Sequence, residues 1–261
     1  MSKVPTSEKF LDLSDYGRTP GRKIAKFLQN TFFTPVKVTF LFFLVGIIAA
    51  YCILEKSYIT AAILIVIKSI LDASDGELAR LRNTPSYIGR FVDSIADIIL
   101  NFILFMAIAV STNISIGLSI LTFLCFQLQG TLYNYYYVIY RRNVSGDQTS
   151  RVFEIEVPKA LGNESQKMVT FLYKLYRLLY GVFDFVIYKF DYSASKSKSF
   201  SKLFMTATSV FGLGFQLLIM AVFMATGYIE IIIPFFIAIT AFIPILIIVR
   251  KVLTQSSIIQ E

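Results

Sequence analysis

Hydrophobic residues run along this chain in long blocks that neither alternate nor scatter. The stretches "VTFLFFLVGIIAAYCIL" (38–54) and "IEIIIPFFIAITAFIPILIIV" (229–249) are the clearest. About 20 apolar residues carry a helix across a bilayer core. The pattern predicts six such spans, at 38–54, 57–75, 88–110, 114–140, 203–226 and 229–249. The short polar connections "EKS" and "STNIS" between them fit antiparallel helix hairpins. The expected fold is an all-α membrane protein. Ahead of the first span, "GRKIAKFLQN" places Ile24, Phe27 and Leu28 at helical spacing with Arg22, Lys23 and Lys26 elsewhere, which predicts an amphipathic helix lying in the interface.

The predicted organisation is an interfacial N-terminal segment (1–37), a transmembrane domain (38–250) and a short tail (251–261). Residues 141–166 form one long polar connection. The following "MVTFLYKLYRLLYGVFDFVIYKF" is long enough to span but carries Lys174, Arg177 and Asp184, so it reads as a second interfacial helix. "DYSASKSKSF" reads as a flexible basic linker. The polar, basic first 37 residues show no cleavable signal peptide.

Composition supports the membrane assignment: 56% of the 261 residues are hydrophobic, 16% are charged, and mean hydropathy is +0.66. Soluble domains carry about 25% charged residues. Basic residues fix an orientation, because positively charged loops stay cytoplasmic. With six spans, 24 of the 25 lysines and arginines fall on the side holding both termini, and Lys56 alone lies opposite. The net charge of +8 therefore needs anionic lipid rather than nucleic acid as its partner. Without histidine, imidazole catalysis and His-ligated zinc are excluded. Cys52 and Cys125 lie in apolar spans with no metal or disulfide spacing. Of the triplets "NIS", "NVS" and "NES", the last two fall on the predicted cytoplasmic side, where glycosylation does not occur.

One segment resists this apolar reading: "DASDGELARLRNTPSYIGRFVDSIAD", residues 72–97. Asp72 and Asp75 are three apart, Asp93 and Asp97 four apart, so each pair shares a helix face. Two antiparallel helices joined through a turn at Pro85 bring all four carboxylates together near the cytoplasmic surface. Carboxylates converging in low dielectric require cations, and hard oxygen-loving magnesium or manganese answers that need. Gly76 leaves the backbone approachable, Ala79 leaves room on the same face, and Arg80 offers a fork of donors suited to phosphate oxygens. Together these residues describe a diphosphate site.

The run D-x2-D-G-x2-A-R-x8-G-x3-D-x3-D, from Asp72, Asp75, Gly76, Ala79 and Arg80 through Gly89 to Asp93 and Asp97, resembles the signature of the CDP-alcohol phosphotransferase family at all eight positions. The wider likeness covers most of the chain. The resemblance implies that a CDP-linked donor gives up CMP to an alcohol hydroxyl. It implies that Asp72 and Asp93 bridge two magnesium or manganese ions, that Asp75 completes the first and Asp97 the second, and that Asp97 is the general base. Gly76, Ala79 and Arg80 would contact the CDP part, with Ser86 a lesser contact. "TPVKVT" is similar to the family's T-P-N-x-x-T stretch and assigns cytidine contacts to Pro35, Val36 and Thr39, with Val36 replacing asparagine. Ile98 stands where many members have arginine, and the later histidine of choline- and ethanolamine-type members is missing. The "YGRTPGR" stretch is similar to prokaryotic members, inositol-using ones among them, and implies a prokaryotic cell membrane. Members tend to be homodimers, which implies the same here.

The reading that follows is transfer from CDP-diacylglycerol or a related CDP-lipid to a small polar alcohol or its phosphate. Its alternatives are transfer from a soluble CDP-alcohol to a lipid hydroxyl, or a non-enzymatic cation-binding membrane protein or transporter. A prenyl-diphosphate enzyme fits less well, since Asp72 is followed by Ala73 and not by a second aspartate. Arg82, Arg90, Arg141 and Arg142 are expected as topology anchors with a secondary chance of touching substrate phosphate. "YNYYYVIYRR" (133–142) is expected to be an interfacial tyrosine belt. Glu77 is expected to face water or pair with an arginine.

Overall fold

The computed structural model describes residues 4–144, 156–197 and 200–258. The central part of the polar connection predicted over 141–166 lies outside the described residues. Those described form helices and turns, with no strand among them. Helix α1 (Arg18–Leu28) precedes α2 (Pro35–Leu54), α3 (Tyr58–Leu81), α4 (Tyr87–Thr112) and α5 (Ile116–Asn143). After α6 (Gln166–Phe190) come α7 (Lys202–Thr208), α8 (Leu213–Ala225), α9 (Ile232–Ile239) and α10 (Phe242–Ile258).

Local chemistry sets the helix ends. Thr34 accepts a hydrogen bond from the Lys37 amide (3.3 Å) and Pro35 occupies the first turn of α2, the start that a side-chain acceptor plus a fixed φ favours. Ser86 caps α4 through the Gly89 amide (2.7 Å) and Ser115 caps α5 through the Leu118 amide (3.2 Å). Asn113 closes α4 in the left-handed conformation (φ 56°).

Among the described residues, four stretches are long and apolar enough to cross a membrane: Pro35–Leu54, Tyr87–Thr112, Ile116–Asn143 and Ile229–Leu253. A fifth is possible as the pair Lys202–Phe211 and Leu213–Ala225, bent by 50°. Helix α3 has the length of a span but carries Lys68, Asp72, Asp75, Glu77 and Arg80, so composition alone does not make it one. Phe40, Leu44, Ile48 and Tyr51 line the exposed side of α2, a placement suited to lipid contact. Inside, Phe105, Phe126 and Phe236 meet edge to face at 5.1–5.9 Å and tie α4, α5 and α9 together.

Helix α3 is the hub, with α1, α2 and α8 packed on it. The N-terminal helix docks through its small residues: a Cβ on Gly21 would sit 3.0 Å from the Ile70 carbonyl oxygen and the Ser74 amide nitrogen, and one on Gly17 2.9 Å from the Ser69 carbonyl oxygen. Gly21→Ala is expected to push α1 off α3 and cost about 1–3 kcal/mol. Thermal unfolding in detergent checks this, and an unchanged midpoint would refute the tight packing. Beside the bend between α7 and α8, a Cβ on Gly214 would lie 2.0 Å from the Ser14 carbonyl oxygen, so the 3-10 turn Leu13–Asp15 packs directly on the start of α8.

Two local expectations are corrected here, and the arginine pairing expected of Glu77 is found. "DYSASKSKSF" is no loose linker: Asp191 is fully buried, Tyr192–Lys196 form a 3-10 turn, and the carboxylate pairs with Arg250 of α10. The tyrosines of 133–142 are no exposed belt either. Tyr135, Tyr136 and Tyr140 are buried; Tyr136 donates to Asp191 (2.8 Å) and Tyr140 to the Glu8 carbonyl (2.6 Å). Their hydroxyls find partners on distant segments, which a run of adjacent tyrosines does not reveal. Glu77 is 2% exposed and held by Arg18 (2.8 Å), Arg22 (3.2 Å) and Arg80 (2.9 Å), because α1 delivers two arginines across α3.

Candidate active site

Helices α3 and α4 run to a turn at 82–86, and their facing sides bring the aspartates together. One carboxylate oxygen each from Asp72, Asp75 and Asp93 lie within 4.8 Å of one another. Asp75 is buried, with Oδ2 accepting from the Thr39 hydroxyl at 2.6 Å. The Asp93 Oδ1 atom is buried with no hydrogen-bond partner. A donor set made only of carboxylate oxygens, one of them left without a proton donor, suits a hard divalent cation.

Asp97 stands one turn beyond Asp93 and outside that cluster of three. Its Oδ1 accepts from the Lys68 ammonium, which also donates to Asp72 Oδ2 at 3.0 Å and lies 4.6 Å from the centre of the Phe42 ring. Lys68 is 3% exposed. The sequence reading counted it among the cytoplasmic basic residues and missed this role; its position four residues before Asp72 was the available signal. Arg250 was counted the same way and is likewise buried in an ion pair.

The cluster opens into a cavity of about 1800 Å³. Pro35, Val36 and Thr39 of α2 line it, as do Gly76, Ala79 and Arg80 of α3. Ser86, Gly89 and Arg90 line it from α4, Arg82 from the turn between α3 and α4, and Arg141 from α5, whereas Arg142 is exposed outside it. The Arg80 guanidinium donates to Glu77 and lies 3.4 Å from the point where a Gly76 Cβ would be, so glycine there gives the arginine room to fold back. Arg82 donates to the carbonyls of Leu28, Gln29 and Thr31 at 2.8–2.9 Å and closes the end of α1. Arg90 lies over the rings of Tyr87 and Phe91, and Arg141 over Tyr137.

Glu164 is a second residue that sequence reasoning passed over. Its carboxylate accepts from the Ser86 hydroxyl (2.6 Å) and the amides of Ile88 (2.9 Å), Tyr87 (3.3 Å) and Leu161 (3.1 Å), satisfying the first turn of α4. Partial burial opposes ionisation, but these hydrogen bonds outweigh it and hold the carboxyl below its ordinary range. A depressed carboxylate pKa stabilises the fold above the unfolded value, near about 4.3, and that contribution disappears as pH falls through the folded value. The difference in melting temperature between wild type and Glu164→Gln is therefore expected to be full at neutral pH and to shrink towards zero below about pH 4. A difference independent of pH would rule this out.

Residues 32–232 match the pattern of the CDP-alcohol phosphatidyltransferase family. The chain belongs to this family. An archaetidylinositol phosphate synthase of Pyrococcus horikoshii is 35% identical over 80 residues, 31% of this chain and 43% of that protein. A bifunctional IPC transferase and DIPP synthase of Thermococcus kodakarensis is 48% identical over 64 residues, 24% of this chain and 15% of that protein. The chain thus spans less than half the length of these curated relatives.

Proposed function

We propose that this protein is a membrane-embedded phosphotransferase. It moves a lipid-linked phosphate from a CDP-linked donor, CDP-diacylglycerol or a related CDP-lipid, to the hydroxyl of a small polar alcohol in phospholipid synthesis. The observation that carries the reading is the meeting of Asp72, Asp75 and Asp93 within 4.8 Å, with Asp97 one turn away, in a family member. One relative is by name an archaetidylinositol phosphate synthase, which favours an inositol-type acceptor.

Asp72, Asp75 and Asp93, with Asp97, would hold two divalent ions, magnesium or manganese. Bound there, the ions would neutralise the diphosphate and make the attacked phosphorus more electrophilic. Gly76 and Ala79 leave the α3 backbone open to the nucleotide, Arg80 offers donors to phosphate oxygens, Ser86 borders the same cavity while donating to Glu164, and Pro35, Val36 and Thr39 wall the cytidine. Asp97 accepts the proton of the acceptor hydroxyl as its oxygen bonds to phosphorus and the bond to CMP breaks. An aspartate near its ordinary pKa of about 3.9 is a weak base, so its placement against the hydroxyl and the charge around it must assist. Lys68 keeps Asp97 in one orientation.

In this reading α3 and the bent α7–α8 pair complete six spans, organised as the 1–37, 38–250 and 251–261 segments. The termini and the site face the cytoplasm of a prokaryotic cell, and α1 and α6 lie in the interface. Arg90 and Arg141 are placed to meet substrate phosphate, and the working unit is a homodimer. The test is CMP release by purified protein with magnesium and CDP-diacylglycerol, offering serine, glycerol 3-phosphate, inositol and inositol phosphate. Release with one acceptor, abolished by chelation, is the expected result. Silence across the panel, together with no binding of CDP, would refute it.

A further inference from the structure

Beyond the aspartates the cavity continues between the helices and becomes polar without becoming charged. Asn101 lies four residues past Asp97 on α4, hence on the same face one turn deeper. It is 2% exposed, and its Oδ1 has no partner. From α5, Gln127 is 6% exposed with Nε2 unpartnered, and Gly130 and Thr131 follow it on the same face. From α8, Gln216 is fully buried with Oε1 unpartnered. Ser69 of α3 adds a hydroxyl that lies beside that of Tyr16. All four side chains line the same cavity as Asp93 and Asp97.

The Gln216 amide cannot turn to satisfy itself. Gln129 donates from Nε2 to the Phe236 carbonyl (2.8 Å) and the Thr240 hydroxyl (2.7 Å), which leaves its Oε1 as an acceptor. Gln216 Nε2 fills that acceptor at 2.9 Å and also reaches the Phe126 carbonyl at 3.3 Å. Its Oε1 is thereby turned towards Gly130, where a Cβ would stand 3.6 Å away, so the glycine keeps the oxygen accessible. A buried polar atom without a partner is costly, and three helices each supply one here. The set has no charge for an anion, and it mixes the acceptors Asn101 Oδ1 and Gln216 Oε1 with the donor Gln127 Nε2, where a hard cation takes oxygens alone. It matches a ligand with several hydroxyls, each able to donate and to accept.

We propose that Ser69, Asn101, Gln127 and Gln216 form the subsite that reads the acceptor, taking an uncharged polyhydroxyl body whose reacting hydroxyl lies at Asp97. This rests on the transferase reading and names the substrate class for it. Sites built to hydrogen-bond a hydroxyl discriminate strongly against analogues lacking one, so this set selects among alcohols while the aspartates serve any of them.

The experiment titrates the full purified chain in detergent with myo-inositol, with cyclohexanol as a single-hydroxyl control, and with CDP and magnesium. Each polyol titration is run with and without CDP. Asn101→Leu and Gln127→Met keep volume and lie outside the Gln129–Gln216 relay. Each is expected to weaken myo-inositol binding by roughly tenfold or more while CDP affinity stays unchanged; in turnover, acceptor KM rises and donor KM does not. Wild type that binds CDP but no myo-inositol, variants that bind it undiminished, or cyclohexanol bound as well as myo-inositol would each overturn the inference. Wild type that binds myo-inositol but not CDP would instead sink the transferase reading and leave the polyol subsite standing.

Discussion

Asp97→Asn is expected to lower CMP release by roughly 10²- to 10⁴-fold, the contribution usual for a positioned proton acceptor. Asparagine preserves shape and keeps an oxygen for the Lys68 ammonium, so the fold should survive. What it removes is the ability to take the acceptor's proton. Asp72, Asp75 and Asp93 stay as ligands and the asparagine keeps an oxygen at position 97, so CDP binding with magnesium is expected to change less than turnover. Single-turnover rates beside CDP titrations separate the two quantities. A variant that turns over like wild type would remove Asp97 from the chemistry; one that loses CDP affinity and rate in parallel would make it a binding residue.

The aspartate spacing was legible because it is local. Three- and four-residue intervals fix a helix face whatever the surroundings, and the turn at Pro85 needs only two antiparallel helices to bring the pairs together. What escaped the sequence depended on distant partners. For Glu77 the sequence leaves water or an arginine open, and the two arginines of α1 that bury it, Arg18 and Arg22, lie more than 50 residues away in the chain. Asp191 and Arg250, 59 residues apart, carry no local mark of their pairing. The close approach of Ser14 to Gly214 beside the bend before α8 is again a contact that no window of sequence contains. Glu164 reads as one acid in a polar connection, and only the docking of that connection on the first turn of α4 makes it a cap.

Lys68→Met should produce the largest loss of stability in the site. Lysine and methionine have similar length, and the stem position beside Phe42 can be filled by a thioether, so packing changes little. The charge changes entirely. The ammonium bridges Asp72 and Asp97, and its removal leaves two inward-facing carboxylates uncompensated beside Asp75 and Asp93. Breaking such a buried pair costs about 3–5 kcal/mol, equivalent to a fall of very roughly 10 °C in melting temperature for a chain of this size. Turnover should fall as well, because Asp97 loses the contact that orients it. A metal-binding role for the carboxylates adds a sign to the expectation. Any cation that binds the folded state alone stabilises it by mass action, and the variant has more uncompensated negative charge to offer. Added magnesium or manganese should therefore raise the melting temperature of Lys68→Met by more than that of wild type. Equal responses to the metal would mean that the ammonium and the cation do not share the same carboxylates, and a variant as stable as wild type without metal would mean that Asp72 and Asp97 do not depend on Lys68 for their charge balance.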